Sequence, residues 1–431
     1  MQTIPSIRLL LLSLPLFSSL SYGENTSWLE AMSQGQWDGE IRNVATFGSK
    51  TDAGPAAGPF NNAHSASSAL ALTYTTKRFH GFQIGLGVQS GIDWKIHKHE
   101  GDLTTEDDAR NTVTATEVHQ AYIDYQFDPA HTNTQVRLGR QGIVTPLVIS
   151  SIEFPMRDAF DAVVVRNSDL PHTQLQLMYI DSWIKRQGGD ALRNSINEEN
   201  DYFSAPVYSL HLKNSSFANL TLEAQWLHND SDEPIGDLPT AVAAIGPYRV
   251  GFVATDYKIP DSAINLGAKY MGARFDEADS AHSWSIKAGY QFDKLHATLA
   301  HARVSDDNNL PGSLGHVPWF KTYTVTFTDS EYIAGTETTS LTLKPHWDIN
   351  GLRTSLTLGY WSQSDEGRIN SGPPGFKLDL DGTTELTLDV HYRFQEIKGL
   401  SSRLQLSRMD YDRDQGEDGL SYLKLTVNYN L

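Results

Sequence analysis

Apolar and polar residues alternate with a period of two along almost the whole chain, which predicts β-strands with one apolar face. In the last stretch (421–431, SYLKLTVNYNL), leucine, valine and tyrosine occupy every second position, and mainly polar residues lie between them. Helical periodicity is confined to 27–37 (SWLEAMSQGQW), where one or two turns are predicted. Seven further segments alternate clearly: YIDYQF (122–127), LTLEAQWLH (220–228), INLGAKY (264–270), WSIKAGYQF (284–292), LHATLAHA (295–302), LTLGYW (356–361) and LTLDVHYRF (386–394).

The connections between these segments alternate in length, which predicts a series of hairpins. Eight short connections alternate with nine longer ones rich in Gly, Asp and Pro, and together they join 18 strands. The segment TYTVTFT (322–328) also alternates. A strand there would interrupt the alternation of short and long connections, so we assign the segment to a long loop. The short connections are 77–81, 128–133, 167–172, 214–219, 258–263, 293–294, 348–351 and 395–399.

A closed barrel in a lipid bilayer accounts for both patterns. Its backbone groups all pair between neighbouring strands, its outside is apolar and its inside polar, and its turns are short at one end and long at the other. Aromatic residues beside the short turns, such as Tyr125, Phe127, Tyr290 and Phe292, are typical of an interfacial girdle. The predicted fold is an all-β, transmembrane, antiparallel up-and-down β-barrel of about 18 strands. A secreted soluble all-β protein is the alternative.

Composition and charge exclude several kinds of site. The chain has 431 residues and no cysteine, so disulfides, thiolate metal sites and cysteine nucleophiles are excluded. The net charge of −18 argues against a nucleic-acid partner. The segment 410–416 lacks the Gly and Glu spacing of a calcium-binding EF-hand loop, and His97 with His99 supplies only two metal ligands. We therefore expect no cofactor, no metal and no catalytic residue.

The N-terminus predicts export. Arg8 precedes an apolar run (9–21) and small residues near Gly23, which is the pattern of a secretory signal peptide. The run is shorter than the ~20 residues of a spanning helix, and Pro15 interrupts it. The predicted organisation is a signal peptide at 1–23, a short periplasmic segment at 24–37 and a barrel domain at 38–431.

The inward-facing positions of the predicted strands carry more cations than carboxylates, although the whole chain is acidic. Fixed positive charge between low-dielectric walls attracts and orients anions, so we interpret this face as a basic track. The alternative is that these cations pair with inward carboxylates or merely touch solvent at the rim. The inward set comprises Asp124, Gln135, Arg137, His211, Lys213, Glu223, Gln225, Lys269, Lys287, Lys344, His346, Arg353, Glu385, Asp389, His391, Arg393, Arg403, Gln405, Lys424 and Asn428.

A barrel of this size is too wide to select solutes unless a loop narrows it. The loop at about 142–160 (GIVTPLVISSIEFPMRDAF) is unusually apolar for an external loop, and Pro146 and Pro155 stiffen it. Its apolar side chains are expected to pack against the inner wall, which would place Arg157 and Asp158 at the narrowest point. These side chains are Ile143, Val144, Leu147, Val148, Ile149, Ile152 and Phe154. The alternative is a capping loop across the barrel mouth.

The segment VRLGRQGIVTPLVISSIEFPMRDAFDAVVV (136–165) resembles a segment of OprD-type outer-membrane porins, in which a GRQ-like triplet leads into a Pro-containing loop and an aromatic–acidic return strand. The resemblance implies an 18-stranded barrel constricted by its third loop, with a ladder of arginine and lysine that guides small carboxylates. It makes Arg137, Arg140 and Arg157 candidates for the constriction. Strict alternation gives Arg140 the outward parity of Leu138, so Arg140 serves the lumen only if the strand bulges or ends near Gly139.

The sequence therefore predicts a passive porin for small hydrophilic solutes, carboxylate-bearing anions or amino acids, in the outer membrane of a Gram-negative bacterium. Its expected partners are the lipid bilayer, lipopolysaccharide and the solutes, as a monomer or a loose homotrimer. The alternative is a structural or adhesive barrel that conducts nothing. The candidate pore residues are Arg137, Arg140, Arg157, Asp158, Lys269, Lys287, Lys344, Arg353, Arg393 and Arg403.

Overall fold

The structure, a computed structural model, contains two short helices: α1 (Trp28–Ser33) and α2 (Asp365–Asn370). No helix in the described part of the chain is long and apolar enough to cross a membrane. The predicted signal peptide, His97, His99 and most of 410–416 lie outside the described residues. Those residues are 27–50, 64–96, 113, 115–150, 153–184, 201–231, 247–315, 322–324, 332–371, 379–411 and 419–431.

Eighteen antiparallel strands form one closed sheet, because each strand pairs with its sequence neighbours and β1 also pairs with β18. This confirms the predicted up-and-down barrel and its strand count. The strands are β1 (Gln36–Lys50), β2 (His64–Thr75), β3 (Phe82–Asp93), β4 (Thr116–Gln126), β5 (Thr134–Gln141), β6 (Ala159–Asn167), β7 (Thr173–Ile184), β8 (Asp201–Asn214), β9 (Leu220–Asn229), β10 (Tyr248–Lys258), β11 (Ile264–Phe275), β12 (Ala281–Gln291), β13 (Leu295–Val304), β14 (Thr336–Pro345), β15 (Leu352–Gln363), β16 (Thr384–Arg393), β17 (Leu400–Asp410) and β18 (Leu420–Asn430).

The assignment of 322–328 to a loop agrees with the strand pairing. β13 and β14 pair directly, from Leu295 opposite Pro345 to Arg303 opposite Glu337, so the intervening chain adds no strand to the wall. Residues 322–324 lie inside the barrel, and 325–328 lie outside the described residues.

The outer face is apolar, as the alternation requires. Leu86, Ile123, Leu138 and Leu299 share the outward parity and expose 57%, 50%, 57% and 56% of their surface, which is costly in water and favourable in hydrocarbon. Aromatic pairs close the band beside the short turns, with ring centroids 4.9 Å apart for Tyr125–Phe127, 4.7 Å for Tyr290–Phe292 and 4.9 Å for Tyr392–Phe394. These pairs form the predicted girdle.

The long loop after β5 folds into the barrel, as predicted. Ile143, Leu147, Val148 and Phe154 are at most 5% exposed. The prediction is wrong for Val144, which is 63% exposed. Ile152 lies outside the described residues. The loop packs on inward apolar side chains of the wall, including Val207, Leu227, Phe252, Met271 and Val304.

A second loop, between β13 and β14, joins this packing. Val148 forms a parallel bridge with Leu314, and Leu310 and Leu314 belong to the same buried cluster. One side of the inner wall is therefore apolar near the long loops, because the two inserted loops cover it. The open lumen lies against the remaining strands.

Candidate functional site

The inner face of β14–β18 and β1 carries cations that we call the basic wall. Arg353, His391 and Arg403 lie side by side across β15, β16 and β17. The next rung toward the short turns holds Arg393 on β16 and Arg42 on β1. The basic wall comprises Arg42, Lys344, Arg353, Arg393, Arg403 and Lys424.

An open cavity of about 420 Å³ lies against the basic wall. Hydroxyl groups of Ser355, Ser401 and Thr426 add neutral hydrogen-bonding positions to its lining. This combination of cations and hydroxyl groups is suited to hold a hydrated anion without enclosing it. The charged and titratable lining residues are Arg42, Glu153, Lys344, Arg353, Asp389, His391 and Arg403.

Three cations of the basic wall have no acidic partner among the residues that the structure describes. Within the described part of the chain, no carboxylate oxygen lies within 4 Å of the side-chain nitrogens of Lys344, Arg353 or Arg393, and all three side chains are exposed. Arg353 donates from Nη2 to Nδ1 of His391 at 3.0 Å, a contact that favours the neutral imidazole. These three charges are thus available to a solute.

Arg403 and Lys424 instead hold the loop after β5. Glu153 of that loop accepts from Arg403 Nη1 at 2.8 Å, and its other oxygen lies 3.3 Å from Lys424 Nζ. Arg403 also pairs with Asp389 at 2.6 Å. Burial opposes the ionisation of Glu153, but the two cations outweigh burial and hold the pKa of this carboxyl below its usual value. The loop is therefore anchored by an ionised carboxylate.

A second set of contacts fixes the end of the loop. Gln89 of β3 accepts from the backbone N–H of Arg157 at 3.0 Å and donates to its carbonyl at 2.7 Å. The guanidinium of Arg157 pairs with Glu40 and remains 39% exposed. Asp158 is 2% exposed and accepts from the Trp183 indole at 3.3 Å. Arg157 thus faces the opening, whereas Asp158 supports the loop from within.

On the other side of the barrel, Lys269 and Lys287 hold the second inserted loop. Their ammonium groups lie 4.2 and 4.1 Å from the centroid of the Tyr323 ring. The Tyr323 hydroxyl donates to the carbonyl of Thr255 at 2.9 Å. Burial, with help from Asp256, raises the pKa of Tyr323 and keeps it a neutral donor. The two lysines predicted as pore residues are thus partly occupied by this tyrosine.

Arg137 also lies inside, but its charge is balanced. Its Nε lies 3.0 Å from the buried carboxylate of Asp124, which Arg78 of the preceding short turn also contacts at 2.6 Å. The guanidinium stacks over the ring of Tyr122 at 3.9 Å. Arg137 therefore occupies space in the lumen near the short turns, but its charge is neutralised by Asp124.

Arg140 lies on the outer side. Gly139 adopts a φ of +118°, but the pairing of β5 with its neighbours continues without a register shift. Arg140 therefore keeps the parity of Leu138 and pairs with Asp161 at 2.9 Å. This pair is placed away from the basic wall.

Three residues of the site are absent from the sequence-based candidates. Alternation in EIRNVATF (40–47) is a sufficient signal for Arg42, because Val44 and Thr46 share its buried face. Glu153 is the single carboxylate within the mainly apolar residues 143–156, which is a weaker signal for a functional role. No local pattern indicates that Tyr323 enters the lumen.

Tyr323 gives a direct test of the second inserted loop. Replacement by alanine removes two cation–π contacts, each worth about 0.5–2 kcal/mol, and the hydroxyl bond to Thr255. We expect Tyr323→Ala to raise single-channel conductance by about a third or more, because a loop that narrows the path is released. Tyr323→Phe keeps the ring and is expected to stay close to the parent. Unchanged conductance in the alanine variant would mean that this loop does not limit flow.

Comparison with solved structures places the barrel in a known fold. The chain matches OccD3 (OpdP) of Pseudomonas aeruginosa with a TM-score of 0.68 and 13% identity, covering 93% of this chain and 92% of that one. It matches OccAB1 of Acinetobacter baumannii with a TM-score of 0.69 and 12% identity, covering 93% and 97%. It matches P. aeruginosa OpdK, crystallised with vanillate, with a TM-score of 0.65 and 13% identity, covering 93% and 99%.

These similarities extend over nearly the full length of each chain, so the whole 18-stranded architecture is shared. At such low identity they establish a common fold. No protein-family model matches the chain, and no curated protein matches it.

Proposed function

We propose that this chain is an OprD-type porin of a Gram-negative outer membrane, through which small carboxylate-bearing anions or amino acids diffuse passively. The observation that carries the proposal is a set of three cations that have no carboxylate partner among the described residues. Lys344 and Arg353 line the open cavity, and Arg393 lies on the next rung, opposite its lining residue Ser401. A barrel whose exterior is apolar and whose interior carries unneutralised positive charge fits such a role. The full-length similarity to Occ and Opd barrels supports it.

The expected strength of the charge guidance follows from Coulomb's law. In water, one fixed charge about 5 Å from a carboxylate attracts it by about 0.8 kcal/mol. Screening by salt, with a Debye length of ~10 Å, reduces the attraction of each charge, so three such charges together attract the carboxylate by about 1.5 kcal/mol. This attraction raises the concentration of the anion beside the basic wall about tenfold. This is enough to prefer anions and too weak to trap them, as conduction requires.

The solute path through the lumen is bordered by the basic wall on one side and by the two inserted loops on the other. The two inserted loops narrow the lumen against the apolar wall, and solutes pass along the basic wall. Arg157, still partly exposed beside Glu40, adds a further cation next to Arg42 on this side of the lumen. Lys269 and Lys287 hold Tyr323 of the second inserted loop on the other side of the barrel, and Lys287 also pairs with Asp256.

An aromatic carboxylate is a suitable solute class to test first. The OpdK neighbour was crystallised with vanillate, which carries one carboxylate on an aromatic ring. The basic wall offers guanidinium groups that bind carboxylates in a bidentate manner and stack on aromatic rings. We therefore extend the proposal to aromatic acids of this size.

Uptake into proteoliposomes tests the proposal with a matched pair of solutes. Benzoate and benzamide are similar in size and shape but differ in charge, so we expect benzoate to enter faster through this protein. Uptake equal to that of empty liposomes for both solutes would favour a barrel that conducts nothing. Equal uptake of the two solutes would contradict charge guidance while leaving a pore.

A further inference from the structure

Two arginines face each other on the outer surface of the barrel. Arg249 of β10 lies directly opposite Arg274 of β11, and both side chains are exposed. The residues that flank Arg249 along the strand point inward and are 2% exposed, so Arg249 points outward. Like charges placed directly across two strands destabilise the pair unless a counter-charge lies between them.

The described part of the chain places no carboxylate in direct contact with these charges, although His228, which contacts Arg249, is itself bonded to Asp230. In the described ranges, no carboxylate lies within 4 Å of the guanidinium nitrogens of Arg249 or Arg274, including those of Asp276, Glu277 and Asp279 in the adjoining hairpin. Arg249 donates from Nε to Nδ1 of His228 at 3.2 Å. That contact orients the guanidinium and leaves its terminal nitrogens pointing outward.

The height of the pair corresponds to the edge of a bilayer. On β10, Arg249 and Tyr257 share the outward parity, and Tyr257 is an exposed aromatic residue beside the short turn 258–263. The two residues are about 26 Å apart along the strand, or about 20 Å along the axis of a tilted barrel. The apolar band of such barrels is about 25 Å tall. With Tyr257 at one interface, the backbone of the arginine pair lies about 5 Å inside the opposite edge of this band, so the long arginine side chains reach the lipid headgroups.

An open position, which we call the notch, lies directly below the pair at Gly251. A Cβ added to Gly251 would have no atom within 4 Å, whereas a Cβ added to the opposite Gly272 would lie 3.3 Å from the ring of Tyr270. Trp226 stands beside Gly251 and His282 beside Gly272, so rings border the notch on both sides. Aromatic rings around an open floor suit the flat face of a sugar.

We propose that Arg249 and Arg274 bind the phosphate of an outer-leaflet glycolipid of the lipid A class, whose sugar lies in the notch at Gly251. Arginine holds phosphate through paired N–H donors, and two guanidinium groups at one height match a single phosphate between them. The phosphate also relieves the repulsion between the two arginines. The inference rests on the proposed outer-membrane location but needs no conduction.

Native mass spectrometry of the full-length protein, refolded with defined lipids, tests the assignment. We expect the parent barrel to retain lipid A, and R249Q/R274Q to lose about tenfold or more of it. The matched control is R408Q, which alters an outward arginine on β17 that pairs with Asp410. G251V keeps both arginines and fills the notch, so retention is expected to fall while the strand is preserved.

The outcomes separate this site from the pore. Retention unchanged in R249Q/R274Q, or lost equally in R408Q, would overturn the assignment. Equal retention of dephosphorylated lipid A would overturn the role of phosphate, and equal retention of phosphatidylcholine would overturn the preference for lipid A. Displacement by inorganic phosphate alone would overturn the role of the lipid. Heat-modified gel mobility verifies that each variant is folded. Unchanged benzoate uptake in R249Q/R274Q is expected, because the arginine pair lies outside the lumen.

Discussion

Replacing Lys344, Arg353 and Arg393 with glutamate together is expected to turn an anion-preferring pore into a cation-preferring one. These three cations lack acidic partners in the described structure and line or adjoin the open cavity, so their charge acts on the solute. An attraction of about 1.5 kcal/mol becomes a repulsion of similar size, which changes anion entry by about a hundredfold. The reversal potential in a salt gradient measures the change of sign, and benzoate uptake measures its size.

A matched control separates local from overall charge. The variant K77E/K294E/K398E changes the net charge by the same amount at three short turns outside the cavity. We expect it to keep its anion preference. High salt is expected to shrink the difference between the two variants, because screening shortens the reach of fixed charges. If the lumen variant keeps the selectivity of the parent, the basic wall does not guide solutes.

Glu153→Gln is expected to release the loop after β5 and to give larger, noisier currents. The carboxylate of Glu153 balances Arg403 and Lys424, and the side chains of Glu153 and Lys424 are both only 10% exposed. Removing one member of a buried ion pair typically costs about 3 kcal/mol or more. Because the barrel wall has its own hydrogen bonds, the loss is expected in the loop and not in barrel assembly. Single-channel recording at neutral pH measures it.

The pH dependence of the parent gives an independent check on Glu153. Its pKa is held below the usual value, so the anchor contributes fully above the ordinary glutamate pKa and weakens as pH falls through the lower, folded-state pKa. Strongly acidic solution is expected to make the parent resemble Glu153→Gln. The control Glu396→Gln changes an exposed carboxylate in a short turn. Currents of the Glu153 variant that match this control would show that the anchor is dispensable.

The fold was predictable because the strands of a barrel in lipid show a regular alternation of apolar and polar residues. Each strand alternates between hydrocarbon and the interior, so segments such as 284–292 and 386–394 show their parity residue by residue. Alternating turn length then fixed the topology, including the exclusion of 322–328 from the wall. The apolar character of 142–160 likewise predicted an inserted loop, since exposure of Ile143 or Leu147 to water is costly.

The site was less accessible to sequence reasoning because it depends on what loops contact. The alternation of the strands identified Arg353 and Arg393 as inward-facing. It does not reveal that Arg403 forms an ion pair with Glu153 of the inserted loop. Nor does any local pattern bring Tyr323 between two lysines. The position of Arg140 depended on whether a bulge occurs at Gly139, and only the register of β5 decides it.

Current through the unmodified protein in a planar bilayer, with a gradient of potassium chloride, tests the central claim most directly. We expect discrete current steps and a reversal potential of the sign given by chloride, because water fills the lumen and its free fixed charge is positive. A complete lack of steps from folded, inserted protein, or a reversal potential of the sign given by potassium, would contradict the account.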